Sequence, residues 1–402
     1  MPNPTRRHFA AGAAALGAAS IILPTRPARA AKQLTIGVVL PMSGFYANQA
    51  AQYENGIKVF QALHGTEVAG LPVRTVIRDD QGPASGDLSR RLTQELIVRE
   101  KADIILGYSF TPNAMAAASL LTEAKKVGVI INAATSIITE KSPDFVRVSF
   151  TTPQVSYYLG KYVAEKGLKK VFTIASDYAP GIDSETWFVK ALKAGGGTVV
   201  GGVRTPVTET EYAPYLQKAI EAKPDAIFAF NPGGDVAVAF LKAVKQSGLQ
   251  KSGVKLTVTG DVLEDDALAL LGENAEGAIS TMHYQYGLKN KQNQDFIAKF
   301  KEIAGKDAVP NFRAVQGYDG LNAIYGAVEK TKGDLATDAL LRAFEGATYD
   351  SPRGKFQIDP KTRDIIQTIY VRETRQVDGM WQNVEIASYP MVGDPAKDPS
   401  LA

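Results

Sequence analysis

Almost from end to end, this chain alternates short runs rich in Ile and Val with stretches whose apolar residues recur every three or four positions. Leu34–Leu40 is followed by Ile57, Phe60 and Leu63 at helical spacing. Val73–Arg78 precedes a stretch carrying Leu88, Leu92 and Leu96, and Ile104–Gly107, Thr111–Lys126 and Gly128–Asn132 extend the series. Strands that are apolar along their whole length must be covered on both faces. A helix between consecutive strands makes each connection a crossover, so the pattern predicts a parallel sheet flanked by helices. The rhythm then restarts. Lys170–Ala175, Thr198–Val203, Ala226–Asn231 and Leu256–Thr259 read as strands, with helices around Asp183–Ala194, Tyr212–Ala222 and Asp235–Ser247. The tail departs from it: Gly354–Ile358, Ile366–Arg372 and Asn383–Ser388 read as extended segments joined by Asp-Pro and Asp-Gly turns.

The expected fold class is therefore α/β, with two doubly wound parallel-sheet lobes. No low-complexity linker separates them, so the lobes should be joined by three hinge crossovers, at Val148–Pro153, Ser280–Tyr284 and Ser351–Lys355. The expected domains are lobe 1 at 31–150 plus 282–352 and lobe 2 at 151–281 plus 353–391, with 392–402 as a C-terminal tail.

Residues 1–30 stand apart. Arg6 and Arg7 precede an apolar, Ala-rich run from Phe9 to Leu23, and Ala28-Arg29-Ala30 follows. A charged start, a short apolar run and an A-x-A site make a secretory signal peptide. The run is shorter than the ~20 residues that a membrane-spanning helix needs, and the paired arginines resemble a twin-arginine export signal. The expectation is export to the periplasm with no membrane insertion after cleavage. Removing four arginines and no acid leaves 41 basic against 42 acidic side chains, so the net charge moves from +3 to −1. The basicity belongs to the signal, and no nucleic-acid footprint is left.

Catalysis finds little to work with. There is no cysteine, which excludes disulfides and thiolate chemistry. Outside the signal only His64 and His283 remain, far apart and without metal-ligand spacing. No G-x-S-x-G elbow, Walker A sequence or post-strand G-x-G-x-x-G is present. The acidic pairs Asp79-Asp80 and Asp265-Asp266 are sequence neighbours whose side chains diverge. The expectation is no enzyme, no metal and no cofactor.

The loops after the strands are better furnished. In open parallel sheets, ligands bind beyond the carboxyl ends of the strands. Here those loops are Pro41-Met42-Ser43-Gly44-Phe45-Tyr46, Tyr108-Ser109-Phe110-Thr111-Pro112-Asn113, and Asn132-Ala133-Ala134-Thr135-Ser136. The second unit adds Asp177-Tyr178-Ala179-Pro180-Gly181, Asn231-Pro232-Gly233-Gly234 and Gly260-Asp261-Val262. Thr111 before Pro112 reads as a helix N-cap, and a helix N-terminus can hold a carboxylate without Arg or Lys. Aromatic side chains on such loops suit a cleft that closes over an apolar ligand body.

Taken together, Ile36-Gly37-Val38 leading to Met42-Ser43-Gly44, Asn132-Ala133-Ala134-Thr135, Tyr178 before Gly181, and Gly317-Tyr318-Asp319-Gly320 resemble the periplasmic leucine/isoleucine/valine-binding family, which has the type I periplasmic binding protein fold. Thr111-Pro112-Asn113-Ala114, Ser351-Pro352-Arg353-Gly354 and Thr362-Arg363-Asp364 resemble a subgroup that includes receptors for aromatic carboxylates. The resemblance implies a receptor that closes on a small carboxylate and hands it to the permease of an ABC importer; the same fold also serves as a ligand sensor for a signalling partner. It implies that Ser109 or Thr111 meets the ligand carboxylate and that Ala133 and Thr135 meet its head group. Phe45 and Tyr46 would form an aromatic wall, while Tyr178 would close from the second lobe; Tyr108 is a further ligand-binding candidate. Tyr318 would add an aromatic contact. The second-lobe acid that pairs with an amino-acid ammonium in this family has Asp261 as its nearest counterpart. Asn231-Pro232 stands where the family has an aromatic residue. Both a hydrophobic amino acid and an aromatic acid remain open as ligands.

Overall fold

The computed structural model describes residues 32–401. The signal-peptide reading of residues 1–30 lies outside the described residues. Among those described, no helix is long and apolar enough to cross a membrane.

The first sheet comprises β1 (Leu34–Leu40), β2 (Glu67–Val68), β3 (Leu71–Asp79), β4 (Ile104–Gly107), β5 (Val127–Ile130) and β6 (Phe145–Arg147). Its strands lie in the order β2-β3-β1-β4-β5-β6. All neighbours are parallel except the short β2–β3 pair. Every residue of β1, β4 and β5 is buried, as expected of strands covered on both faces.

The second sheet contains β7 (Lys170–Ser176), β8 (Thr198–Thr205), β9 (Ala226–Phe230), β10 (Lys255–Thr259), β11 (Ile279–Met282), β12 (Thr348–Tyr349), β13 (Phe356–Ile358), β14 (Ile365–Val377) and β15 (Met380–Val392). The order is β12-β13-β14-β11-β10-β9-β7-β8, with β15 pairing β14. From β8 to β11 the neighbours are parallel, and the tail strands join antiparallel. The second lobe is thus a mixed sheet rather than a purely parallel one. Hairpin connections as short as Asp378-Gly379 cannot link parallel neighbours, which need a long crossover.

Strand order reverses at β1, flanked by β3 and β4, and at β7, flanked by β8 and β9. Loops leaving the carboxyl ends of strands at such points diverge and leave a crevice. The helices Lys291–Ala304, Phe312–Lys330 and Thr337–Phe344 return to the first lobe. Phe296, Phe312, Val315, Leu321 and Leu340 share a core with Leu34, Ile36, Leu106 and Val129. Helix Phe312–Lys330 packs tightly on helix Ala47–His64 through a reciprocal pair of glycines. A Cβ on Gly56 would lie 1.9 Å from the Ala314 carbonyl oxygen, and one on Gly317 would lie 2.2 Å from that of Tyr53. This close approach sets Arg313 beside Tyr53, with consequences for the crevice.

Candidate functional site

Between the two lobes lies a cavity. The first lobe lines it with Ser109, Phe110, Thr111, Asn132 and Ala134, and the second with Tyr178, Pro180, Phe230, Pro232 and Asp261. Phe150 and Thr152 come from the first crossover.

The first-lobe loops owe their shape to a sharp turn at the end of β4. Gly107 has φ 138°, and a Cβ there would sit 2.3 Å from the Val39 carbonyl oxygen. Tyr108 follows at φ 60°, in the left-handed region that a bulky side chain seldom occupies. This turn sends the Tyr108 ring into the first lobe's interior, where its hydroxyl meets Thr93 Oγ1 at 2.7 Å and the ring packs on Phe145. Tyr108, a ligand-binding candidate, therefore does not line the cavity. Ser109 and Thr111, on the far side of the turn, do face it.

Helix Thr111–Ala124 starts one residue earlier than its Thr-Pro signal suggests. Phe110 occupies the cap position and Thr111 is already helical. The Thr111 hydroxyl is thus not a cap; it lies 3.0 Å from Thr135 Oγ1. Ser109 Oγ bonds the Tyr53 hydroxyl at 3.1 Å, and its carbonyl accepts from Asn132 Nδ2 at 2.8 Å. The buried Asn132 Oδ1 is left without a hydrogen bond.

The other expected residues do not all reach the cavity. Tyr178 and Asp261 face the cavity with Ser109 and Thr111. Tyr46, Thr135 and Asn231 stand behind the lining. Tyr46 packs edge-on against Phe110 at 4.7 Å, and Asn231 Oδ1 accepts from Gly233 N to shape its turn. Of Phe45 only the backbone, in the short turn Gly44–Tyr46, belongs to the described residues. Ala133 and Tyr318 lie elsewhere. Ala133 is buried among Val39, Ile105 and Ile130, and its neighbour Ala134 reaches the cavity instead. Tyr318 bonds His64 Nε2 at 2.8 Å and packs on Phe60 and Phe296. It is five residues beyond Arg313, about 140° around the helix, so the two cannot face the same side. Phe230, one position before Asn231, places its ring 6.1 Å from that of Tyr178.

The electrostatic centre is Arg313, which the sequence did not single out. It is 1% exposed. Nη1 donates to the Tyr53 hydroxyl at 2.9 Å, and Nη2 donates to Glu264 Oε1 at 2.9 Å and to the Pro232 carbonyl at 3.3 Å. The same Nη2 faces Asp261 Oδ1 at 3.6 Å. A first-lobe side chain thus holds three groups of the second lobe. Gln49 Nε2 adds bonds to the Pro232 carbonyl and Glu264, and Asn311 Nδ2 bonds Glu264 and Asp266. On the opposite side Ser136 N donates to Asp183 Oδ2 at 3.1 Å, which also accepts from Thr152. The lobes are closed on one another by two such sets of bonds.

Burial raises the Glu264 carboxyl to about 7 and that of Asp261 to about 6, with Arg313 as the strongest opposing influence on each. Burial works against the Arg313 charge, but Glu264, Tyr53 and Asp261 together more than offset it and the guanidinium stays protonated. Tyr178 is pushed well above its ordinary value by burial and then by Asp261, so it stays a neutral phenol. Among the described residues no cluster of His, Cys, Asp and Glu could hold a metal ion. The site offers hydroxyls and a helix start on one lobe, a carboxylate on the other, and rings between.

The chain as a whole is similar to known proteins. Residues 33–379 match the family model described as periplasmic binding protein. The Leu/Ile/Val-binding protein homolog 6 of Brucella melitensis is 37% identical over 384 residues, covering 95% of this chain and 98% of the relative. A solute-binding protein of an ABC transporter from Rhodopseudomonas palustris HaA2, solved with p-hydroxybenzoic acid, superposes with a TM-score of 0.89 at 42% identity. The match spans 91% of this chain and 99% of that one. Another from Rhodopseudomonas palustris, solved with benzoate, gives 0.82 at 29% identity, over 90% and 98%. With two α/β lobes closed over a cavity and matches spanning nearly its whole length, the chain belongs to the periplasmic binding protein family, as a binding protein and not an enzyme.

Proposed function

We propose that this chain is the exported solute receptor of an ABC importer and that its ligand is an aromatic carboxylate rather than an amino acid. The observation that carries the choice of ligand is the pairing of Asp261. An amino-acid ligand needs a second-lobe acid for its ammonium, and here that acid already faces the Arg313 guanidinium at 3.6 Å. A ligand ammonium on Asp261 would sit beside a fixed cation. The other acids of this wall have partners of their own: Glu264 has Arg313 and Asn311, Asp266 has Asn311 and Gln52, and Asp265 has Asn383.

In this reading Ser109 and Thr111 hold the carboxylate at the start of helix Thr111–Ala124, where backbone N–H groups and the helix dipole favour an anion. Phe110, Phe150, Tyr178 and Phe230 enclose the ring. Because both lobes touch the ligand, it binds the closed form better than the open one and shifts the population toward closure. The hinge runs through the crossovers at 148–153, 280–284 and 351–355, and the closed form is what the permease receives. Residues 1–30 direct export by the twin-arginine route. The complexes of the Rhodopseudomonas palustris relatives with p-hydroxybenzoic acid and benzoate support the ligand class. The test is uptake of labelled benzoate and labelled leucine by cells with and without the gene. Loss of benzoate uptake alone is expected; loss of leucine uptake alone would overturn the reading, and unchanged uptake of both would point to sensing.

A further inference from the structure

We propose that Asp261 selects ligands carrying a hydrogen-bond donor, a phenolic hydroxyl, on the side of the ring opposite the carboxylate. This rests on the aromatic-carboxylate reading above and refines it. The cavity is chemically two-ended. Its first-lobe end presents the hydroxyls of Ser109 and Thr111, and its second-lobe end presents Asp261. A ligand carboxylate against Asp261 would meet like charge, so it points to the first lobe and the far side of the ring points to Asp261.

Asp261 is 5% exposed, and its Oδ2 has no hydrogen bond. A buried acceptor left without a donor is costly. The Thr259 hydroxyl comes close enough to favour the charged carboxylate slightly, but it too is without a hydrogen bond. Oδ1 faces Arg313, so a second cation is disfavoured while a neutral O–H is not. A hydroxyl on the ring supplies a donor to Oδ2 and adds no charge. Gln49, Asn311 and Gln52, which could otherwise have supplied N–H groups, are engaged with Pro232, Glu264 and Asp266.

Calorimetric titration with benzoate, 4-hydroxybenzoate and 4-methoxybenzoate tests this on the wild-type protein and on Asp261→Asn. A hydrogen bond to a charged group is worth ~1.5–3 kcal/mol, or about 10- to 100-fold in affinity. The wild type should therefore bind 4-hydroxybenzoate at least about tenfold more tightly than benzoate, and 4-methoxybenzoate no more tightly than benzoate. In Asp261→Asn the ratio of 4-hydroxybenzoate to benzoate affinity should collapse toward one, whichever way both affinities move. An equal ratio in the wild type, or a preference that survives Asp261→Asn, would overturn the proposal. If that variant does not fold, the absorbance of 4-hydroxybenzoate bound to the wild type decides. The bound phenol should stay neutral at pH values where the free ligand ionises, and a phenolate band in the complex would overturn the assignment. Binding of benzoate without any hydroxyl preference defeats this inference alone, whereas binding of leucine and of no benzoate defeats the reading beneath it.

Discussion

Single side chains divide here between those that meet the cavity and those that hold its walls in place, and residue type does not tell them apart. Arg313 belongs to the second kind. Its guanidinium is buried and compensates Glu264 and Asp261 across the lobe boundary. Removing one partner of a buried pair leaves the other uncompensated, typically at ~3–5 kcal/mol. Arg313→Met should therefore destabilise the protein by about that amount in urea denaturation and weaken closure. A loss below about 1 kcal/mol, the scale of an exposed pair, would show that the network does not bear on stability. Several residues that carried the family resemblance are also wall-holders. Asp319 pairs with Arg353, which donates to the carbonyls of Val148 and Ser149. Asp364 pairs with Arg147. These motifs fasten the crossovers to one another and touch no ligand space.

Elements were the most legible level. Leu34–Leu40 and Ile104–Gly107 have the bounds that their apolar runs suggest, because fully buried strands carry an unbroken signal. The tail strands were visible as extended segments, but their antiparallel partners were not, since pairing depends on contacts far apart in sequence. The candidate site divides in the same way. Ser109, Thr111, Tyr178 and Asp261 follow strands directly, and the rule for open sheets reaches them. Phe150 sits in a crossover and Arg313 near the start of a helix, so no local pattern marks them. Arg313 reaches the crevice only because Gly56 and Gly317 let two helices approach closely. Gly317→Ala should force those helices apart, at the ~1–3 kcal/mol of an overpacked contact, and should also weaken ligand binding as Arg313 shifts. Melting temperature and ligand affinity, measured together, check this; unchanged values of both would show that the contact is not tight.

The whole molecule is two α/β lobes that meet around a cavity. The cavity is ringed by aromatics, and the one acid an amino acid would need faces the Arg313 guanidinium. An ammonium at Asp261 would sit beside the Arg313 guanidinium, whereas a carboxylate has hydroxyls and a helix start. The most direct test is calorimetric titration of the purified protein with benzoate and, under the same conditions, with leucine. Saturable binding of benzoate at one site per chain is expected, with no measurable heat from leucine. Tight binding of leucine, with benzoate unable to compete, would contradict it.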